Sequence, residues 1–280
     1  MPWAPAPGRR ETAAAPAGLG GASKGRTAMD QTAGFARYPS LKDRVVLITG
    51  GASGIGASMV EHFADQGARV AFLDFDDTHG PEVAARTGAL FLHCDLRDVA
   101  ALRAAIGEAR GRLGPVTVLV NNAARDDRHG LDQVEPDYWD ERMHTNLRHM
   151  FFCAQAVAPM MKEAGQGSII NFGSVSWMKA QGGMPAYTTA KAAVHGLSRG
   201  LARDLGGNGI RSNVVVPGWI FTERQEKLWA TPEAVADTLS RQCLHAKLYP
   251  PDIARMVLWL AADDSRMVTA QVFIVDGGAV

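Results

Sequence analysis

What most constrains this chain is a series of short apolar runs with almost no polar interruption: RVVLIT at 44–49, RVAFLD at 69–74, ALFLH at 89–93, VTVLVN at 116–121, SIINFG at 168–173, IRSNVVV at 210–216 and QVFIVDG at 271–277. A strand with one wet face alternates apolar and polar residues, whereas a strand covered on both faces reads as a continuous β-branched run. These runs are of the second kind. Stretches of helical period separate them, GIGASMVEHFADQG at 54–67 being the first, and a helix is the crossover that joins parallel neighbours. The pattern predicts an α/β chain with one doubly wound parallel sheet, helices on both faces, and a ligand crevice beyond the carboxyl ends of the strands. Chemistry should therefore cluster in the residues that follow each run.

The chain has 280 residues, 46% of them hydrophobic, which is enough to cover such a sheet. No repeat or linker divides residues 39–280, so a single domain is expected there, with the segment of about 217–245 interrupting the strand and helix rhythm as a lid. Lys plus Arg and Asp plus Glu each number 29, so no basic excess points to nucleic acid or an acidic membrane surface. A small molecule is the expected partner. No window approaches the roughly 18 uninterrupted apolar residues of a membrane span. Cys94, Cys153 and Cys243 match no zinc or redox spacing, which suits a cytoplasmic protein. Residues 1–38, rich in Ala, Gly and Pro, read as a disordered arm with a faint targeting character, and Met29 is an alternative start.

The first run ends in TGGASGIG at 49–56 and passes directly into a helical pattern. Gly50, Gly54 and Gly56, with Ser53 and Ile55 in the same turn, let backbone N–H groups and a helix N-terminus approach a pyrophosphate. The second run ends in Asp74, about 20 residues further on, where a carboxylate can accept from the adenosine ribose hydroxyls and repel a 2′-phosphate. This favours NAD over NADP. At later run ends, Asp95 with Leu96 is placed for the adenine, and Asn121, Asn122 and Ala123 bring small or polar groups to the same edge.

Tyr187 and Lys191 stand four apart in PAYTTAKAAVHG, on one face of the predicted helix, so their polar ends can converge. Ser174, just past SIINFG, lies thirteen residues before Tyr187, enough chain for a loop and a helix start, so it can face the tyrosine across the crevice. TGGASGIG, NNAA, Asn146 in HTNLRH, Ser174, YTTAK and PGWIFT occur in the order and approximate spacing of the short-chain dehydrogenase/reductase family, which the chain resembles from about residue 41 onward. The fold this implies is a Rossmann domain. The resemblance implies that Tyr187 takes the substrate hydroxyl proton, Ser174 holds the substrate oxygen, Lys191 binds the nicotinamide ribose and Asn146 supports a water chain. It also places Pro217, Gly218, Ile220 and Thr222 at the nicotinamide. A free phenol titrates near 10 and is a poor base, but an ammonium at about 4 Å is worth at most about 4 kcal/mol, or three pKa units, at an effective dielectric of 20.

RDDRHG at 125–130 is unusually polar for a lipid or steroid site and, with PGWIFTERQEK, resembles the family's NAD-dependent aldose 1-dehydrogenases of the D-xylose type, which oxidise an anomeric hydroxyl to a lactone. Asp126, Asp127, Arg128, His129, Trp177 and Arg224 are the expected sugar contacts. Two other readings stay open: a short-chain ketoreductase acting on a 3-oxoacyl substrate, and a non-catalytic dinucleotide-binding regulator. A serine hydrolase has no GxSxG elbow to support it. His144 and His149 have no further ligands at metal spacing, so no metal is expected. A homotetramer built through helices near 136–163 and 185–205 is implied by the resemblance. The charge on Asp74 leads to the first prediction: steady-state kinetics should show NAD preferred over NADP, and Asp74→Ala should narrow that preference. A wild-type preference for NADP would remove the role given to this carboxylate.

Overall fold

All seven apolar runs form strands in the computed structural model, which describes residues 34–280. They are β1 (Val45–Thr49), β2 (Arg69–Asp74), β3 (Leu90–His93), β4 (Val118–Asn121), β5 (Gly167–Phe172), β6 (Ile210–Pro217) and β7 (Val272–Val275). They pair in the order β3-β2-β1-β4-β5-β6-β7, every pair parallel. The order reverses direction at β1, between β2 and β4, and that is the switch point where such a sheet opens a crevice.

Helices α1 (Gly54–Asp65), α2 (His79–Thr87), α3 (Val99–Leu113), α4 (Pro136–Met143), α5 (His149–Ala164), α6 (Pro185–Leu205), α7 (Glu223–Leu228), α8 (Pro232–Arg241) and α9 (Pro250–Ala261) complete the chain. Alternate residues of β1 enter opposite cores, as the twofold period of a strand requires. Val46 and Ile48 pack with Met59, Val60 and Phe63 of α1 and Ile253 and Val257 of α9. Val45 and Leu47 pack with Leu102 and Ile106 of α3 and Val157 and Met161 of α5. Local chemistry sets the helix ends. Asp98 caps α3 by accepting the N–H groups of Ala100 and Ala101 at 2.8 and 3.0 Å. Gly165, left-handed at φ 62°, terminates α5.

The helix expected over 136–163 is interrupted. A π-helical turn at His144–Arg148 separates α4 from α5 and carries Asn146 inward. Such single turns insert one residue into the ladder and recur at functional positions. Most of the expected N-terminal arm, residues 1–33, lies outside the described residues. Its last residues, 34–38, are tied to the domain instead of hanging free. Arg37 pairs with Asp65 at 3.0 Å, and the Tyr38 amide donates to Gln66 at 2.8 Å. Among the described residues no helix is long and apolar enough to cross a membrane.

Phe72 shows how the sheet supports the loop above it. It is fully buried, stacks on Phe91 with centroids 5.3 Å apart, and presses on Gly51, where an added Cβ would lie 2.6 Å from it. Phe72→Ala should destabilise the protein by about 3–5 kcal/mol in urea unfolding, and a loss below about 1 kcal/mol would show that this contact is dispensable.

Candidate active site

The turn between β1 and α1 is built as a phosphate cradle. Gly50 sits at φ 71° and Gly54 at φ 55°, conformations that side-chain-bearing residues rarely adopt. A Cβ on Gly56 would overlap the Gly50 carbonyl oxygen, so only glycine permits this close approach. Ser53, at the N-cap of α1, makes no side-chain cap, which leaves first-turn N–H groups free to bind an anion. The turn is held from β4: Asn122 Nδ2 donates to the carbonyls of Thr49 and Gly50 at 2.9 and 3.0 Å, and Thr49 Oγ1 accepts the N–H groups of Asn122 and Ala123 at 3.0 and 3.1 Å. Asn122 thus acts on the cradle itself, and Thr49 is a partner that sequence reasoning did not single out. These residues fit a dinucleotide.

Asp74 lies at the tip of β2 beside that turn. Its carboxylate accepts the Ala52 amide at 2.9 Å and the Asp76 amide at 3.2 Å. Burial raises its pKa, and these backbone donors oppose the shift. Asp95 is engaged by Arg97 at 2.7 Å, which lowers its pKa and keeps it an acceptor. Leu96 follows it, partly buried. From the far side, Pro217 ends β6, and Gly218 closes against Asp276, where a Cβ would lie 2.8 Å from its Cα. Ile220 bridges to Leu248, and Thr222 reaches within 3.2 Å of the position a Gly54 Cβ would take. The first strand and the segment after the sixth thereby meet over one crevice.

Tyr187 and Lys191 project together from α6. Lys191 is 1% exposed, its Nζ donating to the Phe172 carbonyl at 2.9 Å and lying 5.7 Å from the Tyr187 ring centroid. Burial pushes the Lys191 ammonium down to about 7 and the Tyr187 phenol up to about 12, with the Ser174 hydroxyl opposing the second shift. Desolvation is thus the largest influence on both groups, and at Tyr187 it opposes the phenolate. Ser174 Oγ accepts the Ser176 amide at 3.1 Å. Asn146 is fully buried on the π-helical turn; its Oδ1 accepts the Arg125 amide at 2.8 Å, and its Nδ2 has no partner.

Above this cluster the polar loop meets α7. Arg224 pairs with Asp126 and, at 2.9 Å, with Asp127; Gln225 also donates to Asp126 at 2.9 Å. Asp127 accepts in addition from Arg142 of α4 at 2.6 Å. Arg128 lies 5.2 Å over the Trp229 ring. Trp177 stands half exposed against His195, with ring centroids 5.1 Å apart. Asp126, Asp127, Arg128 and Arg224, expected as sugar contacts, are brought together as a roof in which Arg224 is paired with both carboxylates and Arg128 lies on the Trp229 ring. His129 differs from them: both of its ring nitrogens meet protein atoms, so it has none to offer a sugar.

The short-chain dehydrogenase family model described as enoyl-(acyl carrier protein) reductase matches residues 50–280. The chain belongs to the short-chain dehydrogenase/reductase family. Within that family it is 51% identical over 248 residues to the probable galactose dehydrogenase of Rhizobium meliloti, covering 86% of this chain and 97% of that protein. It is 47% identical over 246 residues to the D-xylose 1-dehydrogenase of Caulobacter vibrioides, with 86% and 97% covered. A crystal structure of a protein from Thermus thermophilus superposes with a TM-score of 0.79 at 36% identity, covering 84% of this chain and 98% of that one.

Arg142 and Gln225, which complete the roof of this short-chain dehydrogenase, carry no short-range signal, because Arg142 finds Asp127 fifteen residues away and Gln225 finds Asp126 ninety-nine away. The cradle yields a direct test. Gly56→Ala should weaken NADH binding by at least about tenfold in a fluorescence titration, since its Cβ would displace the Gly50 carbonyl. Unchanged affinity would mean that the turn does not receive the pyrophosphate.

Proposed function

We propose that this protein is an NAD-dependent sugar dehydrogenase that removes hydride from the hydroxyl-bearing carbon of an aldose, at the anomeric position, and yields a lactone. One observation carries the reading: Tyr187, partly exposed, and Lys191, buried beside it on α6, lie beneath a roof made of Asp126, Asp127, Arg128 and Arg224. Relatives at 51% and 47% identity bear the names galactose dehydrogenase and D-xylose 1-dehydrogenase, which supports a sugar. A neutral polyol needs several hydrogen-bonding partners and no long apolar channel, and the roof offers them. The segment of about 217–245, which contains α7 and α8, is the lid of a single domain over 39–280.

NAD, when bound across Gly50, Ser53, Gly54, Ile55, Gly56, Asp74, Asp95, Leu96, Asn122, Ala123, Pro217, Gly218, Ile220 and Thr222, supplies the hydride acceptor and a positive ring. The protein's own work is positioning and proton movement. Ser174 holds the substrate oxygen. Tyr187 takes the hydroxyl proton at its phenolic oxygen. Lys191, anchored on the Phe172 carbonyl and 5.7 Å from the Tyr187 ring centroid, binds the ribose and favours the phenolate with its charge. Asn146 supports a water chain for proton exit, its unpartnered Nδ2 being available to donate to a water. Asp126 opposes the phenolate, and Arg128 and Arg224 favour it.

A homotetramer is the assembly we propose. Phe151 on α5 and Val272 and Ile274 on the edge strand β7 are exposed apolar groups that a partner would cover. A cytoplasmic setting accords with the free thiols of Cys94, Cys153 and Cys243.

In a panel of aldoses and simple alcohols, NADH should form with aldoses. Tyr187→Phe should lower kcat by about 10²–10⁴-fold, the usual worth of a positioned acid or base. The reactive form is the phenolate, so oxidation should accelerate as pH rises. Lys191→Met should move the acid limb of kcat/KM to higher pH, because the phenolate loses a neighbouring cation. Wild-type turnover in Tyr187→Phe would end this mechanism.

A further inference from the structure

We propose that His129 is a positioning residue that caps the catalytic helix α6 from outside and so fixes the place of Tyr187. This rests on the reading of Tyr187 as the proton acceptor.

Helix α6 does not cap its own N-terminal end. The first turn of a helix has N–H groups without intrahelical partners, and they are usually satisfied by a Ser, Thr, Asp or Asn side chain at the N-cap. At α6 the N-cap is Met184, which makes no such bond, and the next residue is Pro185, which has no N–H. Ala186 therefore carries the first N–H of the helix that needs an acceptor, one residue before Tyr187. It is fully buried, where an unsatisfied donor is strongly disfavoured. His129, fifty-seven residues earlier in the loop after β4, provides the acceptor: the Ala186 N–H donates to His129 Nε2 at 3.2 Å. The His129 amide also donates to the Gly183 carbonyl at 2.8 Å, so the segment entering α6 is held at two points.

That bond fixes the state of the imidazole. A backbone amide can only donate, so Nε2 presents a lone pair and the ring proton sits on Nδ1. Two acceptors meet it there, the Asp127 carbonyl and the Tyr138 hydroxyl, each at 3.0 Å. Tyr138 is held in turn: its ring is edge-on to His129 with centroids 5.1 Å apart, and the Arg142 guanidinium lies 5.2 Å from it. Arg142 also holds Asp127 at 2.6 Å, and Asp127 holds Arg224 at 2.9 Å. The roof over the pocket and the start of the catalytic helix thus share one set of contacts through His129.

Three variants test this. His129→Leu removes the acceptor and keeps most of the volume. His129→Gln places an amide oxygen as many bonds from Cβ as Nε2. Tyr138→Phe removes only the hydroxyl that orients the ring. In His129→Leu, kcat should fall by about 10²-fold, the cost of a misplaced reacting group, while KM for the aldose and for NAD stays within about twofold. Amide exchange at Ala186, measured without substrate, should become about tenfold faster, as for a lost helix cap. His129→Gln should restore both readouts, and Tyr138→Phe should move both in the direction of His129→Leu by less. A raised aldose KM with kcat and Ala186 exchange unchanged would make His129 a sugar contact and overturn the proposal. So would Ala186 exchange that does not respond to His129→Leu, or to Tyr138→Phe if His129→Leu does not fold. Turnover retained by Tyr187→Phe would remove the chemical reading while leaving the exchange result to report on the cap.

Discussion

A parallel sheet covered on both faces can bring polar side chains together in one place only, the edge where its strands end. Here that constraint governs everything downstream. Val45–Thr49 and Val118–Asn121 are buried along their whole length, and their in-register pairing carries Thr49 to the level of Asn121. The side chains that leave the sheet at that level then meet one another. Thr49 meets the backbone of Asn122 and Ala123, and Asn122 meets the carbonyls of Thr49 and Gly50. The phosphate cradle is therefore an outgrowth of strand register. Polar residues inside the sheet are paired as well: Asn121 donates to Asn171 of the neighbouring strand at 2.8 Å, and Ser212 meets Ser198 of α6 at 2.9 Å. Left alone, each would carry a desolvation penalty with no return.

Desolvation also acts on the proposed catalytic pair, Tyr187 and Lys191. Lys191 reaches the interior because its Nζ finds the Phe172 carbonyl at the end of β5, and without that acceptor a buried ammonium would not be held. Even so, its pKa falls to about 7 while that of Tyr187 rises to about 12. Both shifts disfavour charge, and both have desolvation as their main cause. A site in this state is poised to respond to any charge brought beside it, since few water dipoles remain to screen the interaction.

Much of this was legible in the sequence, and the reason is periodicity. Seven continuous apolar runs became seven parallel strands, and the residues following them became the crevice. The glycine turn, Asp74, and Tyr187 with Lys191 were legible because each depends on spacing along a single element or on the end of one. What the sequence did not show depends on other kinds of information. The π-helical turn at His144–Arg148 adds one residue to a helix without changing its composition, so 136–163 reads as unbroken. The expectation that Lys191 lowers the phenol's pKa used a distance and a dielectric; desolvation, which no local pattern encodes, acts on the same phenol in the opposite sense. Asp126, Asp127 and Arg224 were all expected as sugar contacts, yet Arg224 lies almost a hundred residues after the two carboxylates, and only the folded chain shows them paired with each other.

That pairing bears directly on the chemistry. Asp126 is felt at both catalytic groups: it raises the pKa of Tyr187, which opposes the phenolate, and it raises that of Lys191, which favours the ammonium. Arg224 and Arg128 act on the phenol in the opposite sense. The roof is therefore close to electrically balanced over Tyr187 only while Arg224 stays on Asp126 and Asp127. With α7 withdrawn, Asp126 would face the phenol without its counter-ion, and the base would be harder to generate. With α7 seated, Arg224 and Gln225 engage the Asp126 carboxylate. α7, through Arg224, thus shapes the charge that Tyr187 feels from the loop after β4.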